Sequence, residues 1–196
     1  MKCPKILLVP ALGALISISA AGIASATTVT SGGSSYTGTI RATSTNLALS
    51  NAFYFGTIKC GHSFVEGSVV THGGTSTAVI ALANLSFTSC TNGEPTSPVS
   101  LPGELEIHGF GGNGNGTATW SFAVVEVHKT LVGSCTFRPN GTDIGLFTGS
   151  KNTGATAVLD IGNATIPQSS PNPFCPTSAT LSGNYTFTTP DKLDID

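Results

Sequence analysis

The sequence predicts an all-β domain, an antiparallel β-sandwich of about ten short strands held by two disulfides. Three observations predict it. Apolar residues recur at spacing two, turn residues (Gly, Asn, Ser, Pro) interrupt them every several positions, and the cysteine count becomes even once an export signal is set aside.

The export signal fixes what is left to fold. Lys2 and Lys5 form a positive end, Ile6 to Ile18 carries no charge, and Ala24-Ser25-Ala26 offers small residues for cleavage after Ala26. Pro10, Gly13, Ser17 and Ser19 interrupt the apolar run, which is short for a span of about 30 Å of hydrocarbon, so no stable membrane insertion is expected after cleavage. Residues 27–190 then form a single domain, with 191–196 as a flexible acidic tail and the Thr, Ser and Gly run up to Ser35 frayed. Without Lys2 and Lys5 the chain carries 6 basic and 10 acidic residues, a formal net charge of −4. The basic residues are scattered singly, which speaks against nucleic acid as a partner. A hydrophobic content of 39% speaks against disorder.

The strands follow from alternation. Tyr36, Gly38, Ile40 and Ala42 alternate with Thr37, Thr39, Arg41 and Thr43, placing one set inward and the other in solvent. Further strands are read at Phe53 to Lys59, Phe64 to Thr71, Thr77 to Thr88 and Leu105 to Phe110. Thr117 to Val127 reads as one central strand with a bulge near Val124, since Trp120, Phe122 and Val124 share one face and Val125 and Val127 the other. Leu131 to Phe137, Leu146 to Ser150, Ala155 to Ile161, Asn163 to Ile166 and Thr180 to Thr188 complete the set. No amphipathic helix is expected between residues 27 and 190. Strands this short and evenly spaced favour a sandwich over a small barrel.

Cys3 leaves with the signal, so Cys60, Cys90, Cys135 and Cys175 remain. Behind an export signal an even count reads as disulfides. Four cysteines allow three pairings; Cys60 with Cys90 and Cys135 with Cys175 is favoured because each then staples neighbouring strands within one half. Zinc is not expected: there is no C-x-x-C, and Cys60-x-His62 is a poor ligand pair.

Context decides the remaining motifs. Gly109-Phe110-Gly111-Gly112-Asn113-Gly114 fits the spacing of a dinucleotide-binding loop, but a strand pattern follows where the phosphate cradle needs a helix, so a hairpin loop is expected and no cofactor. Glu104 and Glu106 share one strand face, an arrangement that resembles a glycosidase pair, although Pro102 and Gly103 suggest an exposed strand start. His62, His72, His108 and His128 sit in or beside expected strands; His108 and His128 could face each other across a hairpin, but no third metal ligand is evident and surface or turn histidines are expected. There is no Gly-x-Ser-x-Gly elbow, and Asn84, Asn115, Asn140, Asn163 and Asn184 each head an Asn-x-Ser/Thr sequence.

Four segments carry a resemblance: Gly56-Thr57-Ile58-Lys59-Cys60, Ser86-Phe87-Thr88-Ser89-Cys90, Gly133-Ser134-Cys135-Thr136-Phe137, and the run from Cys175-Pro176 to Asn184-Tyr185. With them the chain resembles a group of exported proteins from soil actinobacteria, and more distantly the secreted activators of alkane oxidation. The resemblance implies a bacterial source and supports the two disulfides, and it brings no site residue with it. The Gly-Asn loop departs from the group's pattern.

The expectation is therefore a secreted or cell-surface, non-enzymatic protein with a structural or interaction role. Two alternatives stand beside it. Phe53, Tyr54, Phe55, Phe110, Trp120 and Phe174 suggest a binder of small apolar molecules, alkane-like or lipid-like, and Glu104 with Glu106 a carbohydrate-active enzyme.

Overall fold

The computed structural model describes residues 27–52, 54–70, 77–91, 96–98, 103–129 and 133–196. The expected signal, Phe53 and His72 lie outside these residues. In chain order the strands are β1 (Val29–Ser31), β2 (Ser34–Ser35), β3 (Thr39–Ser44), β4 (Leu47–Asn51), β5 (Gly56–Val70), β6 (Thr77–Cys90), β7 (Thr96–Pro98) and β8 (Glu104–Gly109). They continue as β9 (Gly116–Ser121), β10 (Val125–Lys129), β11 (Gly133–Phe137), β12 (Thr142–Thr148), β13 (Val158–Pro167), β14 (Ser178–Thr189) and β15 (Asp194–Ile195). A single helical turn, α1 (Ser150–Thr153), separates β12 from β13.

The chain is all-β, as its alternation predicts, but the main sheet is a closed barrel and not a sandwich. Around it run β3, β5, β6, β8, β9, β12, β13 and β14, every neighbour antiparallel, and β14 pairs back onto β3 through Thr186↔Thr43 and Phe187↔Ala42. β4 prolongs the β3 row after a kink at Thr45-Asn46 and joins the same two neighbours, β5 and β14. The eight rows follow one another round the barrel in sequence order, an up-and-down meander interrupted by β7, β10 and β11, which belong to another sheet. Strand length and alternation are the same in a sandwich and a barrel. What separates them is pairing between the first and last rows, about 140 residues apart in the chain, which no local pattern encodes.

Closure needs curvature, and bulges supply it. Register slips occur between Glu66 and Gly67, Asp143 and Gly145, Ile161 and Ala164, and Phe187 and Thr189. The third slip joins the two strands read at Ala155 to Ile161 and Asn163 to Ile166 into β13, with Asn163 at φ 57°. Gly145 is tied to glycine twice over: its φ is 150°, and a Cβ there would lie 1.8 Å from the Asp160 carbonyl oxygen.

The stretch Thr117 to Val127 is two strands. At Phe122 the backbone takes φ 65°, the chain leaves the barrel, and β10 joins a second sheet of order β11–β10–β7. The inner face of that sheet, Val125, Val127, Cys135 and Phe137, is buried in the common core, where Phe137 meets Phe55 edge to face at 6.1 Å. It packs at the barrel end carrying the β4–β5 and β13–β14 connections.

At the opposite end the termini do similar work. Residues 191–196 are not a free tail, nor is the start frayed: β15 pairs β1, β1 pairs β2, and Val29, Leu193 and Ile195 are buried in the same core. Leu193 and Ile195 alternate with Asp, so the last residues have the two-residue period of a strand. Inside the barrel, Phe147 and Phe187 meet edge to face at 5.4 Å.

Cys60 and Cys90 occupy directly opposed positions on β5 and β6, and Cys135 on β11 is bonded to Cys175 in the β13–β14 connection. The favoured pairing is therefore the one present. Loops of 30 and 40 residues each correspond to about 3.5–4 kcal/mol on the chain-entropy account. Two outcomes are expected in denaturant unfolding of the oxidised protein. Phe187→Ala should lower stability by about 3–5 kcal/mol, because it opens a void beside Phe147. Gly145→Ala should lower it by more than the about 1–3 kcal/mol that the backbone conformation alone costs, because the new Cβ also runs into the Asp160 carbonyl oxygen.

Candidate functional site: the barrel centre and its two capped ends

Seven of the eight barrel rows contribute to a cavity of about 30 Å³ at the centre of the barrel. Leu85, Leu105, Trp120, Leu159, Tyr185 and Phe187 are among its walls, all buried. They meet because inward positions on neighbouring rows are in register: Trp120 opposes Leu105 across β9–β8, and Tyr185 opposes Leu159 across β14–β13. A volume of this size would take about two water molecules, far less than the cleft of an ordinary small-molecule site.

Two wall residues carry polar atoms. The Tyr185 hydroxyl lies 2.5 Å from Ser63 Oγ, and Ser63 in turn donates to the Ser86 carbonyl oxygen at 2.9 Å, so the tyrosine is the donor in a short chain Tyr185 to Ser63 to Ser86. Burial pushes the Tyr185 phenol well above the usual tyrosine range, and the bond to Ser63 only partly offsets it. Trp120 differs. It is 6% exposed, and its indole Nε1 is the buried side-chain polar atom without a hydrogen-bond partner among the described residues. An unsatisfied buried donor costs about 1–3 kcal/mol, and native structures leave few of them.

The carboxylates proposed from sequence sit elsewhere. Leu105 and Ile107 take the inward positions of β8, so Glu104, Glu106 and His108 face the outside of the barrel. Glu106 lies 3.9 Å from His108 Nε2, and His108 Nδ1 is 2.9 Å from Thr77 Oγ1. His108 opposes Thr117 and Thr77, whereas His128 opposes Ser134 in the other sheet, so these two imidazoles do not meet. Among the described residues no three His, Cys, Asp or Glu side chains are grouped as a metal site would require. The Gly109–Gly114 segment is the expected hairpin loop, between β8 and β9, closed by Phe110 N–H donating to the Asn115 carbonyl.

The aromatic residues divide. Phe55 and Trp120 are core, while Tyr54, Phe110 and Phe174 are exposed, as is Phe122. Tyr54, Phe122 and Phe174 all lie beside contacts made by β11 and the residue after it: Phe55 on Phe137, Arg138 at 5.5 Å over the Phe122 ring, and Cys175 bonded to Cys135. Phe110 is on the hairpin at the other end.

The polar clasp at that other end has no counterpart among the sequence motifs. Asp194 is buried, accepting bonds from Ser150 Oγ at 2.7 Å and the Lys151 backbone N–H at 2.8 Å. Asp196 accepts from Lys151 Nζ at 2.5 Å and Thr30 Oγ1 at 2.8 Å, and its backbone exchanges two hydrogen bonds with Thr28. Burial acts to raise the Asp196 pKa, but the bonds from Lys151 and Thr30 and the lysine charge outweigh it and hold the carboxyl below its ordinary 3.8. The Lys151 bond to Asp196 raises the lysine pKa above 10.5 against a smaller desolvation effect. Asp196 therefore stabilises the folded chain at neutral pH, and this stabilisation is lost as pH falls below 3.8 through the lowered pKa. Thermal unfolding should show Asp196→Asn with a small Tm deficit at pH 7 that closes as pH falls below 3.8.

No helix among the described residues is long and apolar enough to cross a membrane. No protein-family model, curated protein or solved structure matches this chain.

Proposed function

We propose that the protein works outside the cell as a non-enzymatic barrel whose role, structural or in interaction, rests on its outer surface. The observation that supports this most is how completely the barrel is occupied from within: its own side chains leave about 30 Å³, and a small sheet packs at each end. Such an interior serves to hold a shape. Two disulfides fit an oxidising compartment, where they persist without a reducing thiol pool. The exposed rings of Tyr54, Phe122 and Phe174, around the disulfide-bonded end, are the surface with most to offer a partner.

The test is fractionation of cells producing the full-length chain. The protein should be recovered in the medium or on the cell surface, beginning at Thr27 and with no free thiol by mass spectrometry. Recovery in the cytosol with reduced cysteines would refute the reading. A Tyr54→Ser, Phe174→Ser double variant should keep its Tm yet show less retention on the surface of the producing cells. Unchanged retention would remove the aromatic end from the account.

A second reading, a binder of small apolar molecules, is favoured by the apolar walls of the central cavity and by Trp120 within them. Its guest is limited by the volume to a few heavy atoms, well short of a fatty chain. Because Trp120 is the chain's single tryptophan, its signals report on that cavity alone.

A further inference from the structure

We propose that a cleft in the outer wall of the barrel, between β12 and β13, is a binding site for a single sugar ring. The inference rests on the reading that the outer surface carries the protein's role, and it names one ligand class for that surface.

The cleft exists because two neighbouring strands part. β12 and β13 are paired from Thr148↔Val158 to Gly145↔Ile161, and there the ladder stops. Both strands bulge at that level, β12 between Asp143 and Gly145 and β13 between Ile161 and Ala164. Beyond the bulge Ala164 to Pro167 stay paired with β14 and have no ladder partner on β12. The gap has a volume of about 320 Å³ and is open to solvent. Clefts for small molecules begin at about 300 Å³, so this one suits a single ring and not a bulky ligand.

Its lining offers the two kinds of surface that a sugar ring presents. Asp143, Asn163, Thr165 and Thr117 bring a carboxylate, an amide and two hydroxyls. Asp143 Oδ1 accepts the Gly145 N–H at 3.1 Å. Among the described residues the other Asp143 oxygen and the side chains of Asn163, Thr165 and Thr117 have no hydrogen-bond partner within the protein, so all are available to a guest. Amid these polar groups Leu146 is 53% exposed, the most exposed large aliphatic side chain among the described residues. A sugar carries hydroxyls round its rim and C–H groups on its faces. The C–H face covers Leu146, one hydroxyl donates to the free Asp143 oxygen in a charge-assisted bond, and others exchange bonds with Asn163 and the threonines.

Other guests fit less well. No lysine or arginine lines the cleft, and Asp143 repels an anion. An apolar molecule would cover the polar rim without pairing it. An added peptide strand needs a longer edge, and the open edge of β13 ends at Ile166, because the Pro167 carbonyl accepts the Arg138 N–H.

The test is an NMR titration of the oxidised protein with methyl β-D-glucopyranoside, methyl β-D-galactopyranoside and methyl α-D-mannopyranoside in turn, with cyclohexanol as a ring of the same size. At least one glycoside should saturably shift the Gly162 and Asn163 amides and the Leu146 methyls. It should bind about 5–150-fold more tightly than cyclohexanol, the factor two further neutral hydrogen bonds supply. Gly162 lines the cleft, and a Cβ there meets nothing within 4 Å, so Gly162→Phe should keep the Tm and abolish the shifts. Asp143→Asn keeps an acceptor for the Gly145 N–H and should weaken binding about 5–12-fold, the difference between a charged and a neutral bond. No saturable shift at these residues with any glycoside, or undiminished binding by both variants, would overturn the site. Equal affinity for cyclohexanol would overturn the sugar class, and shifts there with an alternating Thr-Val hexapeptide but no glycoside would reassign the gap to strand addition. The outer-surface reading is decided by where the cell places the protein, so the two can fail separately.

Discussion

Everything else in the structure depends on the pairing of β14 with the β3–β4 row. Without it the eight rows would be an open, twisted sheet with two unpaired edges, an invitation to association between chains. With it the edges disappear, and each row presents one face to an enclosed interior and the other to solvent. The bonds concerned are ordinary ladder bonds between Thr186 and Thr43, Phe187 and Ala42, and Leu181 and Leu49. Their effect is large because of where they fall: they turn a local alternation of apolar and polar residues into an inside and an outside.

Closure also explains why the interior is so nearly full. Eight strands make a barrel whose bore is about the size of the side chains that point into it. Phe147, Phe187, Trp120 and Tyr185 are buried there. The polar atoms that enter with the aromatic rings must then be paired within the protein. Tyr185 achieves this through two serines, and Trp120 does not. The same tight geometry moves charge outward, since Glu104, Glu106 and His108 occupy the positions left over when Leu105 and Ile107 point in.

Much of the secondary structure is legible from residue order. Ile40 and Ala42, Leu181 and Phe187, and Leu105 and Ile107 are inward as their alternation predicts. So is the cysteine pairing, because each bond joins segments close in the chain. Local pattern fails where long-range contact decides. Phe122 resembles a strand residue because its neighbours alternate, and only the departure of β10 to another sheet forces its backbone to φ 65°. The last six residues resemble a solvated tail because three of them are aspartates; Asp194 is buried only because α1 brings Ser150 and the Lys151 N–H to it. Of the site, Trp120 is visible as an apolar candidate, but a donor lacking a partner is a property of its surroundings and has no signature in sequence.

The two ends of the barrel are fastened by different chemistry. Both sulfur bridges lie toward the β4–β5 and β13–β14 connections, whereas the opposite pole is held by β1, β15 and a handful of hydrogen bonds and charges around Asp194 and Asp196. The molecule is thus polarised mechanically, with one pole covalent and the other able to open and reseal without breaking a bond between heavy atoms. Because the chain enters and leaves side by side at the softer pole, a pull applied through both termini would load the β1–β15 seam first and reach the bridged pole last.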